Sequence, residues 1–253
     1  MIRPCVVVPC FYRGVPLPEV LHRVAALGFD AVELYGWRDL DFKAVRQAVS
    51  ETGVEILSMC TTEFRMTDPA FRAAWLDGLR ESCAAAQSLG VGRLITQVGA
   101  DTGAPRELQH AAIVETLRAA VPILEAHGVT VMIEPLNHKN HPGYYLTYAR
   151  EAFDIVREVD CPYARVVYDI YHQQVTEGNI LPSILENLDC IAHLHGAGHP
   201  GRIELQYGEN DYGVILRQVE AAGYRGAFGL EYRPTMDAEA SLKRFREIYS
   251  AKS

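Results

Sequence analysis

Residues 124–138 have the sequence LEAHGVTVMIEPLNH. Gly128 follows a helical stretch, and glycine at that place adopts the left-handed conformation that ends a helix. An apolar run begins at Val129 and ends at Glu134. A run that is apolar throughout, instead of alternating, is typical of a parallel strand buried on both faces. The stretch is therefore one helix-to-strand unit of an α/β fold.

The same unit recurs along the chain, where Gly28, Gly53, Gly90 and Gly223 each separate a helical stretch from an apolar run. The predicted strands are Cys5 to Pro9, Ala31 to Leu34, Val54 to Met59, Arg93 to Gln97, Val129 to Glu134, Arg165 to Asp169, Cys190 to His195 and Ala227 to Glu231. Eight β/α units in 253 residues match the size of a TIM barrel. The sequence predicts a single (β/α)8 TIM-barrel domain over residues 1–253. A doubly wound sheet is the alternative, although no linker or second domain favours it.

Helix signals fill most of the gaps between these strands. Asp68 and Pro69 form a helix start, since proline is favoured in the first turn after a capping side chain. Helices are predicted over about 69–89, 107–127, 147–159, 211–222 and 237–250. The stretch after Asp169 is predicted to be a loop-rich connection.

The composition, 49% hydrophobic and 22% charged, is that of a globular protein. Twenty-four Lys and Arg against 32 Asp and Glu give a net charge of −8, without a dense basic run. Nucleic acid is not expected as a partner, because its phosphates are bound through basic patches. A membrane span is not expected either, because no apolar run is long enough. The six cysteines are scattered without a CxxC pair, which predicts reduced thiols and a cytoplasmic protein.

Four consecutive predicted strands end in Glu134, Asp169, His195 and Glu231. The catalytic groups of a barrel lie at the C-terminal ends of its strands. Three carboxylates and an imidazole at one barrel mouth need a positive charge between them. Three oxygen ligands and one nitrogen suit Mn²⁺, Mg²⁺ or Co²⁺. Any one of these residues alone could be a hydrogen-bonded polar group at a strand end. Four consecutive strands that end in such residues predict a site for one divalent metal ion.

Two further residues are candidates for contact with a substrate. His172 lies three positions after Asp169 and either overhangs the same mouth or caps a helix. Arg202 follows a glycine-rich turn after the seventh strand and could pair with a carboxylate or with hydroxyls, a solvated arginine being the alternative. Glu204 and Glu209 are interpreted as simply flanking Arg202.

Residues 196–201 match the pattern GxGxxG after a strand. Pro200 and the residues that follow do not open a helix, so a dinucleotide site is not expected. The chain also lacks GxSxG and a P-loop, which argues against the usual hydrolase and nucleotide-phosphate sites.

Several motifs occur together in the C-terminal half. They are Ile133-Glu134-Pro135-Leu136-Asn137-His138, Pro142-Gly143-Tyr144-Tyr145-Leu146-Thr147, Tyr168-Asp169-Ile170-Tyr171-His172, Glu177-Gly178, Gly208-Glu209 with Tyr212, and Glu231-Tyr232-Arg233-Pro234. Together they resemble the hydroxypyruvate isomerase family, which belongs to the xylose-isomerase-like TIM barrels. The specific matches cover roughly residues 131–234. The N-terminal half matches mainly in its barrel rhythm and in Gly28-Phe29-Asp30-Ala31-Val32-Glu33.

The resemblance implies that Glu134, Asp169 and Glu231 bind a divalent metal ion, with Glu134 and Glu231 as the acid/base pair. It also implies that His172 and Arg202 contact the substrate. The fourth ligand in that family is usually glutamine, whereas this chain has His195, as in the related ketose 3-epimerases. Residues 196–207 also depart from the family's usual sequence, so the substrate stays open.

The expected function is isomerisation of a small hydroxy-carbonyl compound. Hydroxypyruvate would become tartronate semialdehyde through a cis-enediolate, with the two glutamates as acid and base. A ketose 3-epimerase with the same metal and glutamates is the nearest alternative. An endonuclease-IV-like metallohydrolase would need more histidines, and a sugar-binding barrel without activity would lack the acid/base pair. By analogy with such barrels a homo-oligomer is an option, which no sequence pattern decides.

Overall fold

The computed structural model describes residues 2–249 and shows eight parallel strands closed into a barrel. The strands pair in chain order, and β8 closes on β1 with Arg3 opposite Ala227. Their bounds are β1 Arg3–Val7, β2 Ala31–Leu34, β3 Glu55–Cys60, β4 Arg93–Thr96, β5 Thr130–Ile133, β6 Ala164–Asp169, β7 Ile191–Gly196 and β8 Ala227–Leu230. The predicted (β/α)8 barrel is confirmed.

The helices lie between successive strands and after β8. Their bounds are α1 Val8–Phe11, α2 Leu17–Ala26, α3 Phe42–Thr52, α4 Arg72–Leu89, α5 Arg106–His127, α6 Ala149–Val159, α7 Ile170–Thr176, α8 Ile180–Glu186, α9 Tyr212–Ala221 and α10 Ala238–Tyr249. The last position of the helix predicted over 237–250 lies outside the described residues. Within residues 2–249, no helix combines the length and the apolar character that a membrane crossing requires.

The first strand starts and ends earlier than the sequence predicts. It spans Arg3–Val7, and Val8–Phe11 forms a short helix instead of continuing it. Pro9 is the physical reason, because proline has no N–H to give to a strand ladder and is tolerated in the first turn of a helix.

The stretch after Asp169, predicted to be loop-rich, forms the two helices α7 and α8. The Asp169 carboxylate accepts hydrogen bonds from the backbone N–H groups of Tyr171 at 2.7 Å and His172 at 3.4 Å, which caps α7. Gly178, with φ 65°, lies between the two helices. Each helix has seven residues, which is too short for a clear helical period in the sequence. The loop prediction was therefore wrong.

The barrel interior is packed by side chains that alternate with those facing the helices. Two small groups fill it: Cys5, Ala31, Leu57 and Ala227, and then Cys60, Ile95, Met132, Val167 and Ala192. The main core lies between the strands and the helices. Toward the C-terminal strand ends the inward positions become polar, beginning with Glu33, which lies two residues after Ala31.

Replacing Met132 by alanine tests the packing of the interior. Met132 is fully buried beside Ile95 and Val167, so its truncation leaves a cavity. We expect the free energy of unfolding, measured by urea denaturation, to fall by about 2–5 kcal/mol. The control is Leu108→Ala on α5, where the side chain is 63% exposed; a change below about 0.5 kcal/mol is expected there. Equal losses in the two variants would contradict this packing.

Candidate metal centre and active site

The four residues predicted to hold a metal ion meet at the C-terminal mouth of the barrel. Ligand atoms of Glu134, Asp169, His195 and Glu231 all lie within 4.8 Å of one another. All four side chains are buried. Nδ1 of His195 lies 3.1 Å from Oε2 of Glu231 and 3.7 Å from Oε1 of Glu134. The structure therefore brings all four predicted ligands into one cluster.

The orientation of these side chains fits a divalent cation. Asp169 gives one carboxylate oxygen to the start of α7, and Glu231 gives one to the hydroxyl of Tyr35. Oε1 of Glu134 and Nδ1 of His195 are buried without a hydrogen-bond partner. Unpaired buried polar atoms are costly, and a cation between them would satisfy both. Three oxygen ligands and one nitrogen suit Mn²⁺, Mg²⁺ or Co²⁺.

Arg202 supplies the positive charge beside the cluster in this structure. Its Nη2 lies 2.6 Å from Oε2 of Glu231 and 3.5 Å from Oδ2 of Asp169. Its Nε donates to the backbone carbonyl of Glu231 at 3.2 Å, and the guanidinium lies 5.2 Å from the ring centroid of Tyr171. The residue predicted to bind substrate is thus placed against two of the predicted metal ligands, with its side chain 18% exposed.

Burial and Arg202 together set the ionisation of the carboxylates. Burial raises the pKa of Asp169 to about 7, although Arg202 opposes that shift. Burial also raises the pKa of Glu134. Burial would also raise the pKa of Glu231. Arg202 and His195 outweigh this effect and hold the pKa of Glu231 well below its usual range. The cluster therefore keeps its total negative charge low.

His172 lies on α7 at the same mouth, fully buried, and lines the cavity there. The backbone N–H of Asn137 donates to its Nδ1 at 3.0 Å, so the ring proton of the neutral form lies on Nε2. Nε2 has no hydrogen-bond partner and lies 3.5 Å from Oδ2 of Asp169. Burial, with Arg202, holds the pKa of His172 well below its usual value. His172 can therefore offer a neutral N–H donor to a bound molecule.

A cavity of about 680 Å³ opens above the cluster. Its wall includes Glu134, His195 and Glu231, and the cationic side chains that line it are those of Lys139, Arg202 and Arg233. A second cavity, of about 630 Å³, lies beside α9 and α10. None of the metal-binding clusters found within residues 2–249 lines that second cavity.

Three residues that shape the site were not predicted from the sequence to do so. Tyr35, directly after β2, donates its hydroxyl to Glu231. Glu33 faces His195 inside the barrel. Its sequence signals were a glutamate within an otherwise apolar strand and its place at the end of the family-like stretch 28–33, neither of which indicated this role. Glu204, interpreted as simply flanking Arg202, is fully buried.

Glu204 anchors the loop that carries Arg202. Its carboxylate accepts hydrogen bonds from the N–H and hydroxyl of Thr235, at 2.9 and 3.0 Å, and from the hydroxyl of Ser241 at 3.1 Å. The N–H of Arg233 donates to the carbonyl of Arg202 at 2.7 Å. These bonds join the β7–α9 loop to the β8–α10 connection. They hold Arg202 at φ 56°, a left-handed conformation that is uncommon outside glycine.

The glycine-rich residues 196–201 form the end of β7 and a tight turn, not the start of a helix. Gly198 and Ile203 exchange backbone hydrogen bonds of 2.7 and 3.1 Å across the turn. A Cβ on Gly208 would lie 2.7 Å from Cα of Gly198, so the two backbones need glycine to pack this closely. The turn therefore lacks the strand-to-helix context of a dinucleotide site.

The sequence profile of the xylose isomerase-like TIM barrel matches residues 21–248. The chain belongs to the xylose isomerase-like TIM-barrel family. It is 33% identical to hydroxypyruvate isomerase of Escherichia coli (strain K12) over 197 residues, which are 78% of this chain and 72% of that protein. It is 35% identical over 139 residues to 2-oxo-tetronate isomerase of Cupriavidus necator, covering 55% of this chain and 54% of that one.

One solved structure superimposes closely on this chain. The crystal structure of an AP endonuclease, family 2, from Brucella melitensis has a TM-score of 0.93 and 26% identity, over 98% of this chain and all of that one. The family profile and the curated isomerase relatives identify an isomerase with a sugar isomerase-like function.

Replacing Glu204 by glutamine tests the anchoring of the Arg202 loop. The amide keeps one acceptor oxygen, and its NH2 group can at best donate to a hydroxyl that now donates to the carboxylate, so the charge-assisted hydrogen bonds are replaced by weaker neutral ones. We expect the free energy of unfolding to fall by about 1–3 kcal/mol, measured by chemical denaturation. The control is Glu209→Gln on the same loop, where the side chain is 54% exposed and little change is expected. An unchanged stability in Glu204→Gln would show that the loop does not depend on this carboxylate.

Proposed function

We propose that this protein is a metal-dependent isomerase of a small hydroxy-carbonyl compound, with hydroxypyruvate converted to tartronate semialdehyde. The observation that carries the proposal is the convergence of Glu134, Asp169, His195 and Glu231 on one point, with Glu134, His195 and Glu231 lining the cavity beside it. The identity of 33% with a hydroxypyruvate isomerase supports the choice of reaction.

One divalent ion, Mn²⁺, Mg²⁺ or Co²⁺, would be held by Glu134, Asp169, His195 and Glu231. When bound, it would act as a Lewis acid toward the carbonyl and adjacent hydroxyl of the substrate. The protein side chains supply the remaining chemistry.

Glu134 and Glu231 are the proposed acid/base pair. One of the two glutamates would take the proton from C3 of hydroxypyruvate, and the other glutamate, or the same one, would return a proton at C2. The proton of the C3 hydroxyl would pass to the C2 oxygen, so that C3 becomes the aldehyde and C2 carries the hydroxyl. The hydroxyl of Tyr35 fixes one oxygen of Glu231 and leaves the other facing the cluster. His172 presents its Nε2–H to the cavity and would donate to a substrate oxygen, since Asn137 occupies its other nitrogen.

The charges that line the cavity favour an acid over a neutral sugar. A divalent ion would offset most of the charge of the three ligand carboxylates. Lys139, Arg202 and Arg233 would then remain as cations on the cavity wall. Arginine pairs well with a carboxylate, and Arg202 is the one nearest the cluster. The carboxylate of a 2-keto acid would therefore be bound through Arg202.

A ketose 3-epimerase is the second candidate. His195 favours the epimerase, because the fourth ligand is a histidine in the ketose 3-epimerases and usually a glutamine in the hydroxypyruvate isomerase family. The same two glutamates would exchange one proton at one carbon, and a cavity of about 680 Å³ also has room for a six-carbon ketose. Cavity size therefore does not separate the two functions, whereas charge favours the isomerase.

Two further proposals concern partners and location. A net charge of −8 weighs against nucleic acid as the substrate, although the Brucella structure carries an endonuclease name. All six cysteines are unpaired, which supports a reducing compartment such as the cytoplasm.

Proton NMR in D₂O tests the reaction directly. Metal-stripped protein would be resupplied with Mn²⁺ or Mg²⁺, given hydroxypyruvate, 2-oxo-tetronate or a ketose, then quenched and chelated before observation. We expect metal-dependent loss of hydroxypyruvate and appearance of tartronate semialdehyde. Deuterium at C3 of a ketose, with the acids untouched, would instead establish the epimerase.

The same assay tests the glutamate pair through Glu134→Gln and Glu231→Gln. Each substitution keeps the shape of the side chain and removes its ability to accept a proton, so turnover should fall by at least about 10²-fold while the fold is kept. Glu209→Gln, on the β7–α9 loop and 54% exposed, is the matched control and should turn over normally. Full activity in both site variants would refute the proposed roles.

Metal affinity should depend on pH through Asp169. A metal ion binds the ionised carboxylate, and the raised pKa of about 7 means that a proton occupies this group as the pH falls below 7. We expect the Mn²⁺ dissociation constant, measured from the EPR signal of free Mn²⁺, to rise by up to about tenfold per pH unit below 7. Asp169→Asn should bind more weakly with a flatter pH dependence. A constant affinity between about pH 8 and 5 would contradict the expectation.

A further inference from the structure

A second buried network lies inside the barrel, next to the metal cluster and on the side away from the cavity. Glu33 of β2 is 1% exposed. Its Oε1 lies 2.9 Å from Nε2 of His193, and its Oε2 lies 3.1 Å from Nε2 of His195. The hydroxyl of Ser58 donates to the same Oε2 at 2.5 Å. One carboxylate therefore receives three donors from β3 and β7.

Glu33, His193 and His195 lie close enough together to bind a metal ion themselves. The contacts are those of hydrogen bonds instead, because each imidazole Nε2 faces its own carboxylate oxygen at about 3 Å. Neither Glu33 nor His193 lines the cavity at the barrel mouth. We therefore treat the network as support for the cluster and not as a second metal site.

We infer that Glu33 is the positioning residue that makes His195 a metal ligand; this inference rests on the proposed metal site. A histidine binds a metal through a nitrogen that carries no proton, so its proton must lie on the other nitrogen. Glu33 accepts a hydrogen bond from Nε2–H of His195, which fixes the ring and leaves Nδ1 for the metal. Carboxylates that hold a ligating histidine in this way orient it and raise its affinity for the ion.

The backbone of β8 leaves room for the Glu33 and His195 side chains because it has a glycine beside them. Gly229 of β8 faces it, and a Cβ at that position would lie 2.5 Å from Cδ2 and 2.9 Å from Nε2 of His195. The same Cβ would also collide with the Glu33 carboxylate. Any larger residue would push the imidazole away from Glu33. Strands β2, β7 and β8 therefore fix the position of this ring through Glu33, His195 and Gly229.

Glu33→Met is the main test, because methionine keeps the length and bulk of the side chain and removes both acceptor oxygens. We expect the Mn²⁺ dissociation constant, measured by EPR on the full chain at fixed pH, to rise by about 10- to 100-fold. The matched control is Ser58→Ala, which removes one donor to Glu33 but leaves its bond to His195. Its Mn²⁺ affinity should stay near that of the unaltered protein.

A second readout does not involve the metal. In metal-free protein with ¹⁵N-labelled histidine, the Nε2–H proton of His195 should resonate downfield, as expected for a donor to a buried carboxylate. The resonance is assigned by its loss in His195→Asn. It should persist in Ser58→Ala and disappear in Glu33→Met.

Weaker Mn²⁺ binding together with loss of the downfield proton in Glu33→Met would support the inference. Unchanged Mn²⁺ affinity in that variant would overturn it and leave the metal site intact. No Mn²⁺ binding by the unaltered protein would overturn the metal site itself, before any variant is compared. If Glu33→Met does not fold, Glu33→Gln offers one acceptor to two imidazoles. If His195 loses the downfield proton in Glu33→Gln, the Mn²⁺ affinity of that variant must fall. If His195 keeps the proton, the affinity must stay near that of the unaltered protein. Any other combination overturns the inference.

Discussion

Three carboxylates buried within a few ångströms of each other are the constraint on which this site depends. Glu134, Asp169 and Glu231 lose their hydration at the barrel mouth, and without compensation their mutual repulsion would oppose folding. In the structure the compensation comes from Arg202 and His195. A divalent cation would strengthen it, which links the stability of the mouth to the chemistry proposed there.

Three of the four groups in the cluster are each held by a partner outside it. The start of α7 holds Asp169, Tyr35 holds Glu231, and Glu33 lies against His195. Because one polar atom of each of these three side chains is engaged elsewhere, the other polar atom is directed toward the cluster. Such support is what keeps a ligand set in place before an ion arrives.

The barrel alone does not decide which reaction is catalysed, because one fold supports many chemistries. Here the discriminating features lie in the loops above the strands. Lys139, Arg202 and Arg233 give the cavity a cationic wall, and Glu204 fixes the loop that carries Arg202. An acid with an adjacent carbonyl suits this wall better than an uncharged sugar, whereas the His195 ligand is shared with the epimerase alternative.

The sequence by itself determined the barrel and the place of the four candidate ligands. Both follow from local rules: glycine ends a helix, an apolar run forms a buried parallel strand, and polar strand ends meet at one face of a barrel. The two helices after Asp169 escaped prediction, since seven residues show no clear period. The partners of the ligands also escaped prediction. Tyr35 and Glu231 are 196 positions apart, and Glu33 and His195 are 162 apart. Only closure of the barrel brings β2 close to the ends of β7 and β8, so these hydrogen bonds were decided by the tertiary structure.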